Sequence, residues 1–174
     1  LREHGGAFER VQVRGQVNLA HEPQVHNIEL VPAQARACPE ALASIEEADW
    51  VVLGPGSWRT SVLPHLLLRE QREALSTTNA KRCVVMNLAL DDKESNGLDA
   101  SAHLKLLQQY APNLRLDVVI ADPSNMGVQS EFEDAARELG AKVLWASVRS
   151  TTNPNVHDPL KLASAYNDMF AMRL

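Results

Sequence analysis

The chain has 174 residues, 45% of them hydrophobic and 22% charged, with a formal net charge of -5. That mix fits one folded domain and excludes a disordered tail. An acidic chain with no basic run offers little to a phosphate backbone, so nucleic acid is not among the expected partners. The two cysteines and six histidines lack metal-type spacing, which argues against structural zinc and fits a reducing compartment. His65, Arg69 and Glu70 interrupt the best apolar run, well short of the roughly 18 residues of a membrane span. With no signal peptide either, the expectation is a cytoplasmic protein without membrane insertion.

In chain order, Val11 to Ala20 and His26 to Val31 read as two strands of a hairpin. Pro39 opens a helix running to Ala48, with Leu42 and Ile45 facing inward. Trp50 to Leu53 is a short continuous apolar run, the pattern of a strand buried on both faces. Cys83 to Met86, Val118 to Ala121 and Val143 to Ala146 repeat it. Helices are predicted between them: Ser61 to Leu68 with a shorter piece around Glu73, Asp99 to Tyr110, and Ser130 to Leu139. Ser130 and Glu133 have the spacing of a capping box, and Gly140 ends that helix. Asp158 and Pro159 start the last helix, whose apolar face is Leu162, Tyr166, Met169 and Phe170. Strands alternating with helices give an α/β fold: a three-layer, mainly parallel, Rossmann-like sheet with an N-terminal β-hairpin, in one unit over residues 1–174.

Open α/β sheets bind ligands beyond the carboxyl ends of their strands. Those ends are Gly54 to Ser61, Asn87 to Gly97, Asp122 to Asn125 and Ser147 to His157, all polar and most longer than a minimal connection. In the first, Gly54 and Gly56 permit a sharp turn and close approach to a ligand. Ser57, Thr60 and Ser61 then lead into a helix whose free N–H groups favour an anion such as a phosphate. A plain glycine-punctuated turn with a hydroxyl cap explains the same residues, and the motif is neither a Walker loop nor GxGxxG. Arg59 could add positive charge or be a solvated surface arginine, and Trp58 could stack on a base or pack inward. Asn87, at a strand end, is placed to orient a hydroxyl or phosphate. Asp91, Asp92 and Glu94 could hold a divalent cation or form a solvated acidic loop. Asp158 is explained as an N-cap, His157 stays open between site and surface, and no catalytic triad assembles from spacing.

At these segments the sequence resembles a known family. Ala48-Asp49-Trp50-Val51-Val52-Leu53-Gly54-Pro55-Gly56-Ser57, followed by Thr60-Ser61 and Pro64, is similar to the AD-x-[IV]-VLGPGS-x-x-TS-x-x-P pattern of CofD-like proteins of the YvcK, or gluconeogenesis factor, branch. Gly15-Gln16, Asn87-Leu88 with Glu94 and Gly97, and His157-Asp158-Pro159 match in the same order. Two positions depart from the pattern: Lys93-Glu94-Ser95 stands for the usual Gly-Glu-Thr, and Arg59 for an aromatic residue. The family's Gly-rich N-terminal loop is absent, so the resemblance identifies the chain with the C-terminal half of a CofD-like domain.

The resemblance implies a nucleotide-sugar-binding regulator, of the UDP-N-acetylglucosamine type, linked to gluconeogenic growth, cell shape and envelope synthesis. Gly54, Gly56, Ser57, Arg59, Thr60, Ser61 and Asn87 would then line the ligand, with Glu94 and His157 behind them. The alternatives are a 2-phospho-L-lactate transferase of coenzyme F420 synthesis, which would need Mg2+ near Asp91 and Asp92, and an interaction module with a vestigial crevice. The Gly54-Pro55-Gly56-Ser57-Trp58 loop favours the regulator, because transferase loops read closer to Gly-Pro-Ser-Asn-Pro. A homo-oligomer is compatible with every reading.

Overall fold

The structure is a computed structural model that describes residues 2–4, 7–9, 11–22, 25, 27–88 and 99–173. A short antiparallel hairpin, β1 (Arg2–His4) and β2 (Ala7–Glu9), precedes helix α1 (Gln16–Ala20). Then come α2 (Pro39–Glu47), β3 (Trp50–Leu53), a π-type turn over Trp58–Val62, α3 (Leu63–Leu67) and α4 (Arg69–Thr77). The second half runs β4 (Lys81–Val85), α5 (Ala100–Tyr110), β5 (Val118–Ala121), α6 (Gln129–Glu138), β6 (Lys142–Trp145) and α7 (Pro159–Ala171).

Strands β3 to β6 form a parallel sheet in sequence order, with Leu53 opposite Val84, Val85 opposite Ile120, and Ile120 opposite Leu144. The alternation of side chains along each strand divides the core in two. Val84, Met86, Val119 and Ala121 face helices α2 to α6, meeting Ile45, Leu66, Leu75, Leu104, Leu107 and Phe132. Cys83, Val85, Val118 and Ile120 face the other way, onto Ala165 and Met169 of α7. The three layers are therefore a helical layer, the sheet, and α7 on the far face. Because the sheet is parallel, all four carboxyl ends open on the same edge.

The sequence places most of these elements correctly, for visible reasons. Pro39 sits in the first turn of α2. Asp99 caps α5 by accepting from the Ala102 amide at 2.7 Å. Asp158 caps α7 by accepting from the Leu160 and Lys161 amides.

Four expectations need correction. The N-terminal hairpin exists but lies upstream, in the strands Arg2–His4 and Ala7–Glu9, and Gln16–Ala20 within the expected first strand is helical. Gly15, at φ 90°, breaks the extended run there. Residues 27–31 form no strand, and His26 lies outside the described residues. The run Trp50–Leu53 is not buried on both faces: β3 borders the sheet, and Val52 stays exposed although Trp50 on the same face meets Phe170 of α7 edge-on. The Ser130–Glu133 capping box does not form either. α6 starts at Gln129 with no side-chain cap, and Glu133 instead accepts from Trp145 Nε1 at 2.9 Å. Packing against β6 outcompetes the local cap.

Candidate functional site

The loop leaving β3 is shaped by its glycines. Gly54 has φ 82°, and a Cβ there would come within 2.8 Å of the Val85 carbonyl oxygen. No other residue fits so close to the end of β4. A Cβ on Gly56 would meet that of Ser61 at 3.1 Å, so the loop folds tightly onto the start of the following helix.

Asn87, just past β4, fastens this loop. Its Oδ1 accepts from the Gly56 amide at 3.1 Å and its Nδ2 donates to the Gly56 carbonyl at 3.0 Å. The strand-end amide thus holds the backbone of the neighbouring loop by both of its polar atoms.

Ser57 begins the next turn. Its hydroxyl accepts from the Thr60 amide at 3.3 Å, and its carbonyl accepts from both Ser61 and Val62 amides, at 2.8 and 3.2 Å. The doubled acceptor is what widens Trp58–Val62 into a π-type turn, a geometry frequent at functional sites. Ser61 is exposed and Thr60 half-buried beside it. Gly54, Gly56, Ser57, Thr60, Ser61 and Asn87 are therefore gathered around one turn that runs directly into α3.

Trp58 and Arg59 go elsewhere. Trp58 is buried and packs at a tilt against His103 of α5, ring centroids 5.2 Å apart, so it is a core residue rather than a platform for a base. Arg59 is only 6% exposed, and its Nη1 donates to the Glu22 carbonyl at 2.9 Å. Its guanidinium is directed toward the segment after α1.

A second cluster joins the ends of β4, β5 and β6. Asp122, 2% exposed, accepts from the Val148 amide at 3.0 Å, from Arg149 Nε at 3.2 Å, and from the Ser124 amide and hydroxyl. Arg149 also donates to the Leu88 carbonyl at 2.8 Å and the Pro154 carbonyl at 3.1 Å, while its own carbonyl accepts from Lys161 of α7. Burial works against the Asp122 charge, but the bonds from Ser124, Arg149 and Val148 outweigh it and hold its pKa below the ordinary value.

His157 belongs to this cluster rather than to the glycine turn. It pairs with Arg149 in a short antiparallel bridge, and its buried Nε2 has no hydrogen-bond partner. Burial lowers its pKa and Arg149 adds to that, against the Met86 carbonyl and Asp122, which favour the charged ring.

Asp122 and Arg149 were not singled out by sequence reasoning. The Asp-Pro-Ser stretch reads as an ordinary turn, which it also is, and a loop arginine carries no local signal. The informative feature is an acid placed directly after four buried apolar strand residues. Asp91, Asp92 and Glu94 lie outside the described residues. Among the described residues, no group of three or more His, Cys, Asp or Glu could hold a metal, and no helix is long and apolar enough to cross a membrane.

The sequence pattern of the family described as 2-phospho-L-lactate transferase CofD matches residues 6–151, a span that contains the glycine turn, Asn87, Asp122 and Arg149. The chain belongs to the CofD family. Among its CofD-family relatives, a Mycobacterium tuberculosis protein provisionally named a gluconeogenesis factor is 38% identical over 163 residues, 91% of this chain and 47% of that protein. The gluconeogenesis factor of Listeria monocytogenes is 26% identical over 152 residues, covering 81% of this chain and 47% of its own. A crystal structure of a UPF0052-family protein from Bacillus halodurans superimposes with a TM-score of 0.66 at 25% identity, over 79% of this chain and 48% of that one. The chain spans about half the length of the curated relatives it matches.

Proposed function

We propose that this chain carries half of the ligand site of a nucleotide-sugar-binding regulator, with the glycine turn as its phosphate subsite. The carrying observation is the turn Gly54–Ser57, fixed at the sheet's carboxyl edge by Asn87 and opening directly into a helix start. Backbone amides and the positive end of a helix dipole, with Thr60 and Ser61 hydroxyls beside them, suit a diphosphate. UDP-N-acetylglucosamine is the ligand to test, in a cytoplasmic protein acting on gluconeogenic growth and envelope synthesis. Ser57 and Asn87 shape the turn, and Thr60 and Ser61 are the side chains that would touch phosphate oxygens.

Calorimetric titration of UDP-N-acetylglucosamine into the full-length protein tests this reading. Thr60→Ala with Ser61→Ala is expected to weaken binding at least tenfold with little change in melting temperature. Unchanged affinity in that variant would remove the phosphate assignment, and no binding by the wild-type protein would remove the ligand class.

The second reading, phospholactyl transfer, is favoured by the family's own description. It would require Mg2+, for which the described residues supply no ligand cluster, and the acidic candidates 91, 92 and 94 lie outside them. Formation of product from a deazaflavin acceptor by the full-length protein would establish it.

A further inference from the structure

Residues 16–22 precede the sheet by a long stretch of chain, yet they touch the glycine turn's helix at two points. Gln16 Nε2 donates to the Thr60 carbonyl at 2.9 Å, and Arg59 Nη1 donates to the Glu22 carbonyl at 2.9 Å. α1 itself has five residues, buries none of them, and leaves Val17 74% exposed. A helix so short has no stability of its own in water. Its conformation is set by what it touches, with Leu19 adding the apolar contact.

The Thr60 carbonyl accepts a donor from outside its own helix. That carbonyl lies inside the π-type turn Trp58–Val62, so the bond ties α1 to the turn's own backbone. The π-type turn and α1 are therefore parts of one hydrogen-bonded arrangement, although some 40 residues of sequence separate them (|i−j| = 44).

We propose that Gln16 is a positioning residue for the phosphate-binding turn, and that α1 and this turn become ordered together when the turn is occupied. The proposal rests on the nucleotide-sugar reading. A ligand that fixes the turn also fixes the Thr60 carbonyl, and through it Gln16, the first residue of α1. By reciprocity, whatever loosens α1 weakens the ligand.

The test uses the full-length protein and UDP-N-acetylglucosamine, with hydrogen exchange followed by mass spectrometry on peptides covering 16–22 beside calorimetry. In the wild-type protein the ligand slows exchange there. Gln16→Met, neutral and of similar length, is expected to weaken binding by about tenfold, the value of one net hydrogen bond. It should also abolish the ligand-dependent protection while leaving the melting temperature nearly unchanged, because α1 buries nothing. Gln16→Asn keeps the amide but shortens its reach, and should lose affinity and protection in the same way.

Ligand binding with exchange at 16–22 unchanged would overturn the proposal. So would a loss of affinity that simply follows a fall in melting temperature. Failure of the wild-type protein to bind removes the nucleotide-sugar reading and this proposal with it, whereas normal binding by Gln16→Met removes this proposal alone.

Discussion

Replacing Asn87 by alanine isolates the fastening of the glycine turn. The substitution removes two hydrogen bonds to Gly56, of 3.1 and 3.0 Å, and leaves every strand intact. At a net worth of about 0.5–1.5 kcal/mol each, the loss is bracketed between about 1 and 3 kcal/mol. Both residues are half-buried, so water reaches the Gly56 amide and carbonyl once the side chain is gone, which places the cost near the lower end, about 1–1.5 kcal/mol. For a domain of this size that lowers the melting temperature by roughly 2–6 °C. Urea unfolding should show a lower midpoint at unchanged slope. Binding of UDP-N-acetylglucosamine should fall by more than the stability loss explains, because the turn no longer presents its amides in one geometry. A melting temperature within about 1 °C of wild type would refute the claim that Asn87 holds the turn. A lowered melting temperature with intact binding would refute the claim that the turn holds the ligand.

Gly54→Ala should be more damaging than its exposure suggests, at about 2 kcal/mol or more, since the residue sits at φ 82° with a backbone oxygen 2.8 Å from the new Cβ; the urea midpoint measures it. Arg149→Met breaks the buried pair with Asp122 and is expected to cost about 3 kcal/mol, with exchange rising first in residues 147–157. His157 has a folded pKa below its ordinary value, so its contribution is complete above about pH 6.5 and is lost as pH falls below that. Urea midpoints at pH 7.5 and 5.5 should differ accordingly in the wild type and less in His157→Asn. The Cys83 thiol, buried and pushed up to about 12, should resist alkylation at pH 8 until the chain unfolds, while exposed Cys38 reacts at once.

What the sequence made legible follows from how local each cause is. The strands of the parallel sheet carry their signal in four or five consecutive residues, and Asp99 and Asp158 act within three positions of themselves. The glycine turn was equally visible, because Gly54 answers to a backbone demand that no other residue meets and Gly56 leaves room for Ser61. The failures are non-local. Val11 to Ala20 alternates as a strand should, yet Gln16 is drawn to the Thr60 carbonyl, and a helix forms where the pattern favoured extension. Glu133 has a cap to make at Ser130, but the indole of Trp145 lies across the layer and takes it.

Arg59 shows why composition alone misleads about sites. An arginine beside a predicted anion site invites a direct contact, and its neighbours Ser57 and Thr60 do lie at the turn. The π-type register decides otherwise. With the turn widened, Trp58 and Arg59 both fall on the inner side, and burial then favours a carbonyl partner over a solvated anion. On the proposed reading, anion binding at this turn rests on backbone amides, which have no side-chain identity to read in a sequence. In the same way, the charge of Arg149 is spent on Asp122 and two carbonyls, so it joins three strand ends rather than offering itself to the crevice. Arg59 and Arg149 thus tie backbone segments together, and on the proposed reading ligand contact is left to the turn that Asn87 fastens and Gln16 touches.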